Sequence, residues 1–189
     1  MDIRIAGITN ESVVDGPGIR ITIFTQGCPH HCPGCHNPDT WDPNGGRLMK
    51  VNEVKRMINR AHLTSRSISG ITLSGGEPLL QAEPLIEIVR WYKRFYPGTV
   101  ILYTGYVLED ILRNVQPSSP ILTLVNEVSL LIDGPYQLHN RYPITPWKGS
   151  NNQRIINIQD SVLTKYGRLI TVEYSSSNNS YTEAKPLIY

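Results

Sequence analysis

The chain predicts an α/β fold, an open partial (β/α) barrel of about five to six mostly parallel strands. Three observations carry that expectation. Short apolar, β-branched runs alternate with stretches of helical period along most of the 189 residues, as in a parallel sheet joined by helical crossovers. Glycine-bearing segments follow the strand-like runs, at the carboxyl ends where parallel strands build their sites. The length suits one domain with a substantial core, 1–189, yet it is short for an eight-unit barrel of about 250 residues.

Taken in order, Asp15-Gly16-Pro17-Gly18 is turn chemistry. Residues 19–25 (IRITIFT) alternate and branch at Cβ, so they read as a strand. It delivers the chain into a loop over 26–43. Residues 52–61 place Val54, Met57 and Ile58 at helical spacing, with Lys and Arg on the other face. A short strand at 71–73 runs into Ser74-Gly75-Gly76-Glu77-Pro78. Residues 83–96 form an amphipathic helix with Leu85, Ile86, Val89 and Tyr92 inward, a stripe that reads as core. Strands follow at 99–103 and 129–133, with helices at 108–113 and 120–125 between them. A last strand is expected at 168–174, then a loop at 175–180 (SSSNNS) within a flexible tail, 175–189.

Composition excludes several classes. A net charge of +2, dispersed along the chain, does not make a nucleic-acid surface. No apolar run approaches the roughly 20 residues of a membrane span. Clustered free thiols without a secretory signal point to the cytoplasm, a reducing compartment.

All three cysteines fall within eight residues, Cys28-Pro29-His30-His31-Cys32-Pro33-Gly34-Cys35. An odd count and tight spacings argue against a disulfide framework. Three thiolates are one short of a closed metal site. A 4Fe-4S cluster with one iron left without cysteine fits this count. Zinc also fits, with His30, His31 or His36 completing a Cys3His tetrahedron. Gly75 and Gly76 suit a backbone that must approach a ligand where side chains would block it. Thr104 and Asp133 end strand-like runs, either as turn caps or as ligand contacts. His30 and His31 read as exposed loop residues, and His62 and His139 as surface residues.

The C-x3-C-x2-C motif followed about forty residues later by Gly-Gly-Glu-Pro resembles the radical S-adenosylmethionine (SAM) family. The resemblance implies a single 4Fe-4S cluster on Cys28, Cys32 and Cys35, with the open iron chelated by SAM. An electron from the cluster would cleave the sulfonium bond and yield a 5′-deoxyadenosyl radical. Gly75, Gly76, Glu77 and Pro78 would contact the methionyl ammonium. Within the family, the stretch 15–41, with its DGPG turn, Arg20, His36-Asn37 and Trp41, resembles the glycyl radical enzyme activating proteins. Many radical SAM enzymes have an aromatic residue where this chain has Gly34. That departure resembles the activators of anaerobic ribonucleoside-triphosphate reductase. So do Tyr103-Thr104-Gly105-Tyr106, Asp133-Gly134-Pro135-Tyr136 and the segment 148–153, although Lys148 and Asn151 depart from the usual Arg and Ser.

This resemblance, over 13–155, implies SAM contacts from Gly34, His36, Thr104 and Asp133 besides the Gly75–Pro78 segment. It also implies a large glycyl radical enzyme, the anaerobic ribonucleotide reductase, as partner, and an electron donor such as flavodoxin or ferredoxin. Loops after Gly105, Gly134 and Gly149 would form the rim that meets the partner. Two other functions stay open at this point. One is a stand-alone radical SAM enzyme acting on another peptide or small molecule; the other is a non-enzymatic iron–sulfur or zinc module.

Overall fold

The architecture was obtained as a computed structural model, which describes residues 1–65, 67–141, 146–158, 168–169, 172–175, 180–183 and 187–188. In chain order it runs β1 (Asp2–Ser12), β2 (Ile19–Thr25), β3 (Arg47–Lys50), α1 (Val51–Thr64), β4 (Ile68–Gly75), α2 (Ala82–Phe95), β5 (Thr99–Tyr103), α3 (Leu108–Asn114), α4 (Pro120–Glu127), β6 (Leu130–Asp133) and β7 (Arg154–Asn157). Four short strands follow: β8 (Arg168–Leu169), β9 (Val172–Ser175), β10 (Ser180–Glu183) and β11 (Leu187–Ile188).

The first seven strands form one open sheet in the order β3-β1-β2-β4-β5-β6-β7. Its centre is parallel, β2 to β4 to β5 to β6. Antiparallel β1 flanks it on one side, with β3 antiparallel to β1 beyond, and antiparallel β7 on the other. The α/β class therefore holds, with seven strands where five to six were expected. The additions to the four strands read at 19–25, 71–73, 99–103 and 129–133 are β1, β3 and β7, and the strand expected at 168–174 is not part of this sheet. Ile3 and Ile5 do alternate with Asp2 and Arg4, but the pattern dissolves after Gly7. β3 and β7 have four residues each, too few for a period to be read. They become strands by pairing with a longer neighbour.

Strand alternation sends side chains to opposite faces. Ile21, Ile23, Ile71, Leu73, Val100, Leu102 and Leu131 all point to one side, where they form the main core with α1, α2 and α4. The stripe of α1 is Val51, Val54, Ile58 and Ala61, and Met57 lies outside it at 39% exposure. On α2 the inward position falls to Ile88 beside Leu85, Val89 and Tyr92, while Ile86 is only half-buried. The other face carries a small cluster of Ile101, Ile132 and Ile155. It also carries a polar network at the amino ends of the strands. Fully buried Arg20 donates to Thr72 Oγ1 (2.7 Å), to the carbonyls of Ile71 and Thr99 (2.6 and 2.7 Å) and to that of Pro17 (3.2 Å). Thr72 donates to the Asp15 carbonyl at 2.8 Å, and the Asp15 carboxylate accepts from Ser12 and Thr22 at 2.6 and 2.9 Å. The DGPG turn thus plugs the amino edge of the parallel strands. Gly16, at φ 136°, lies so near Arg20 and Ile101 that a Cβ there would collide with both.

β9 pairs with β10, and β8 with β11. The strand expected at 168–174 is thus realised as β8 and β9, and the interior of the loop expected at 175–180 lies outside the described residues. Among the described residues no helix is long and apolar enough to cross a membrane.

Candidate functional site

With its amino edge plugged, the parallel sheet leaves its carboxyl edge open, and there a cavity of about 360 Å³ lies. Cys28, Cys32 and Cys35 line it together with His30, His36, Gly75, Gly76, Thr104, Gly105 and Gly134. Residues from the ends of β2, β4, β5 and β6 thus meet at one place. A depression of equal volume beside Met1, Lys50, Arg56 and Glu87 carries charges of both signs and no thiol.

The cysteine loop is built on backbone bonds at its base. Gly27 N–H donates to the Thr40 carbonyl (2.8 Å) and Cys28 N–H to that of Trp41 (3.1 Å). The buried Gln26 side chain donates to the carbonyls of Asp39 and Asp42 at 2.9 and 2.7 Å. Further along, Cys35 N–H donates to the Cys32 carbonyl at 3.0 Å across a turn that Gly34 makes at φ 72°. All three thiols are free and half-buried. Burial pushes the Cys28 thiol up in pKa; the N–H groups of His30 and His31 pull it down, and the negative charge of Glu77 adds to the rise. A closed zinc site would need a fourth protein ligand beside the three thiols. A cluster instead asks each thiolate for a different iron. Three free thiols on one loop, facing one cavity, fit that donor set.

Behind the cavity wall sits Glu77, fully buried. Its carboxylate accepts from Leu79 N–H (3.0 Å), Gly105 N–H (2.9 Å) and Thr104 Oγ1 (2.9 Å), and lies 2.8 Å from His30 Nε2. Thr104 Oγ1 in turn accepts from Tyr106 N–H at 3.1 Å. Glu77 and the buried Pro78 therefore brace the loops from within and do not face the cavity. The glycines before them have a packing requirement besides the expected ligand contact. A Cβ at Gly75 would meet the backbone of Thr25, and one at Gly76 the backbone of Gly27. Gly76 N–H donates to the Thr25 carbonyl (2.8 Å) and Glu77 N–H to that of Gly27 (2.7 Å). The space is taken by the protein's own cysteine loop, although both glycines line the cavity.

Asp133, 1% exposed, does not line the cavity. Its carboxylate accepts from Leu108 N–H (2.9 Å) at the start of α3 and from Arg154 Nε (3.0 Å), and Arg154 also holds Glu109 at 2.7 Å. The Glu109 and Asp133 carboxylates raise the Arg154 pKa beyond its usual range, against the effect of burial. Gly34 likewise lies off the cavity, where a Cβ would press on Leu138. His36 does line it, its ring 4.9 Å from that of Tyr136. His31 and His139 are exposed, as expected. His30 is not, because its side chain is 17% exposed and bonded to Glu77. His62 stacks on Tyr96 at 4.0 Å, and burial lowers its pKa.

Tyr136 and Gln153, which the family resemblance had already marked, line the cavity, whereas Arg154, which holds Asp133 and Glu109, was not singled out by the sequence. Gln153 ties two loops together, accepting from Gly149 N–H (2.7 Å) and donating to the Gly134 carbonyl (3.0 Å). Nothing in the spacing of the chain announces such a tie, since its ends are 19 residues apart.

A loop of three free thiols on the open carboxyl edge of an α/β sheet offers the donor set of a single iron–sulfur cluster. Residues 14–156 match the family model described as a 4Fe-4S single cluster domain. The anaerobic ribonucleoside-triphosphate reductase-activating protein of Enterobacteria phage T4 is 38% identical over 152 residues, 79% of this chain and 90% of that protein. The protein of the same name from Escherichia coli is 32% identical over 150 residues, covering 78% and 94%. The pyruvate formate-lyase-activating enzyme of Clostridium pasteurianum is 44% identical over 104 residues, 54% of this chain and 44% of the enzyme. The chain belongs to the family of anaerobic ribonucleoside-triphosphate reductase-activating proteins, glycyl radical activases of the radical SAM type. A 4Fe-4S cluster and SAM are its cofactors.

Proposed function

We propose that this activase generates the glycyl radical of an anaerobic ribonucleoside-triphosphate reductase, using Cys28, Cys32 and Cys35 as its cluster ligands. The observation that carries the assignment is the meeting of the three thiols with Gly75-Gly76 and Thr104-Gly105 in one cavity, in a chain of this family. Cluster and SAM, when bound, supply a reductively generated radical able to take a hydrogen atom from a glycine Cα. Cys28, Cys32 and Cys35 would hold three irons of the cluster and leave the fourth for the cosubstrate.

The chain's own residues orient and shield. Gly75, Gly76 and Thr104 offer a stretch of cavity wall for the amino-acid end of SAM, and His36 with Tyr136 two ring faces tilted at 49° to one another. Glu77, Pro78, Gly34 and Asp133 act from behind, by holding the loops that carry these contacts. The seven-stranded sheet serves as a partial barrel whose mouth the partner completes. Hydrogen abstraction needs donor and acceptor in near contact and away from water, and a cavity this open offers little cover on its own. A loop of the reductase bearing the glycine enters between the segments at Gly105, Gly134 and Gly149, with Lys148 on the rim. A small redox protein, flavodoxin or ferredoxin, delivers the electron.

The test is anaerobic mixing with SAM, a reductant and reductase deuterated at glycine. A glycyl doublet in electron paramagnetic resonance and deuterium in the 5′-deoxyadenosine are expected. Label that never leaves the reductase, with efficient modification of a small molecule or short peptide instead, overturns the assignment.

A further inference from the structure

We propose that His30 is a positioning residue for the cysteine loop, latched to the sheet by the buried carboxylate of Glu77; this rests on the cluster assignment above. The loop is anchored at its base by Gly27 and Cys28, but along its outer arm the backbone bond from Cys35 to Cys32 is internal. Among the described residues, His30 is the side chain of that arm with a hydrogen bond to the sheet edge, 2.8 Å from Glu77 Oε2.

The receiving side is rigid. Glu77 is fully buried and its other bonds go to Leu79 N–H, Gly105 N–H and Thr104 Oγ1. The loops after β2, β4 and β5 therefore meet at one carboxylate. Packing supports the same contact. The His30 ring lies where a Cβ of residue 105 would stand, which accounts for glycine there. Its edge meets Tyr106 with centroids 4.5 Å apart at 69°.

Position in the motif gives the latch its consequence. His30 stands two residues from Cys28 and two from Cys32, so its placement sets both thiols against Gly76 and Thr104. Partners that orient metal ligands from outside the coordination sphere typically contribute about 10–100-fold in metal affinity or activity. The latch acts in the same manner, through the loop.

Three variants separate the hydrogen bond from bulk: His30→Ala, His30→Gln and His30→Leu. His30→Ala still assembles a cluster, but it releases iron to a chelator about tenfold faster and shows a broadened resonance in the reduced state. The His30→Gln amide can still donate to Glu77 and recovers most of the loss; His30→Leu fills the space without the bond and does not. In metal-free protein, exchange of the Gly105 N–H quickens by about tenfold in His30→Ala and returns toward the parent rate in His30→Gln. Parental iron release and Gly105 exchange in His30→Ala, or recovery by His30→Leu as full as by His30→Gln, overturns the proposal. If the parent protein assembles no cluster, the cluster assignment fails instead, and the exchange measurement still decides whether the latch exists.

Discussion

Gly76→Ala puts the packing of the site to a sharp test. Its new methyl has no room, because the nearest atoms are the O, C and N of Gly27, all backbone. The end of β4 and the start of the cysteine loop must separate. That separation strains two bonds, Gly76 N–H to the Thr25 carbonyl at 2.8 Å and Glu77 N–H to the Gly27 carbonyl at 2.7 Å. Overpacking a tight interior costs about 1–3 kcal/mol, and a buried donor left unpaired costs about 1–3 kcal/mol. Partial relief by movement of the loop puts the sum at about 2–4 kcal/mol. For a chain of this size that lowers Tm by about 4–16 °C. Gly7→Ala is the control, since nothing lies within 4 Å of the methyl it would add. Thermal unfolding of the metal-free proteins measures the loss. Iron content after anaerobic reconstitution measures the effect on the loop, and it should fall in Gly76→Ala as well. Parental stability and full iron loading, with SAM affinity alone reduced, would refute the reasoning and leave contact with SAM as the reason for glycine at 76.

Arg154→Met should cost about 3 kcal/mol in urea unfolding, because it strands Asp133 (1% exposed) and Glu109 (16%) without their shared cation; a loss below about 1 kcal/mol would show that water reaches the site. His62 supplies a pH test. Burial lowers its pKa from the ordinary 6.5, so between that value and the lowered one the unfolded chain binds more protons than the folded one. The stability that neutral His62 contributes is therefore complete above about pH 6.5 and is lost as pH falls toward the lowered pKa. His62→Phe, which keeps the stack on Tyr96, should flatten that part of the stability profile; an unchanged slope would assign it to other groups.

Much of this protein is legible in the sequence because its signals are local. Strand alternation at 19–25, 71–73 and 99–103 and the apolar stripes of α1 and α2 announce the parallel sheet with its helices. Cysteine count and spacing narrow the metal chemistry to a cluster with one open iron or to zinc, and the Gly-Gly-Glu-Pro segment downstream favours the cluster. What those signals lack is any record of contacts between distant segments. β3 and β7 exist as strands only through their neighbours, and the local run of Met57 beside Ile58 could not say which would face the core. Glu77 and Asp133 sit in motifs that suggest ligand contacts, yet tertiary packing turns both carboxylates inward, toward partners 28 and 21 residues away. Gly76 is small because the cysteine loop passes over it. His30, without a pattern of its own, meets Glu77 across 47 residues of chain. Residue type and local period are properties of a segment, and the sequence determined those by itself. Which buried polar group meets which is settled only when the sheet brings the ends of its strands to one edge, because each must then find a partner among whatever stands there.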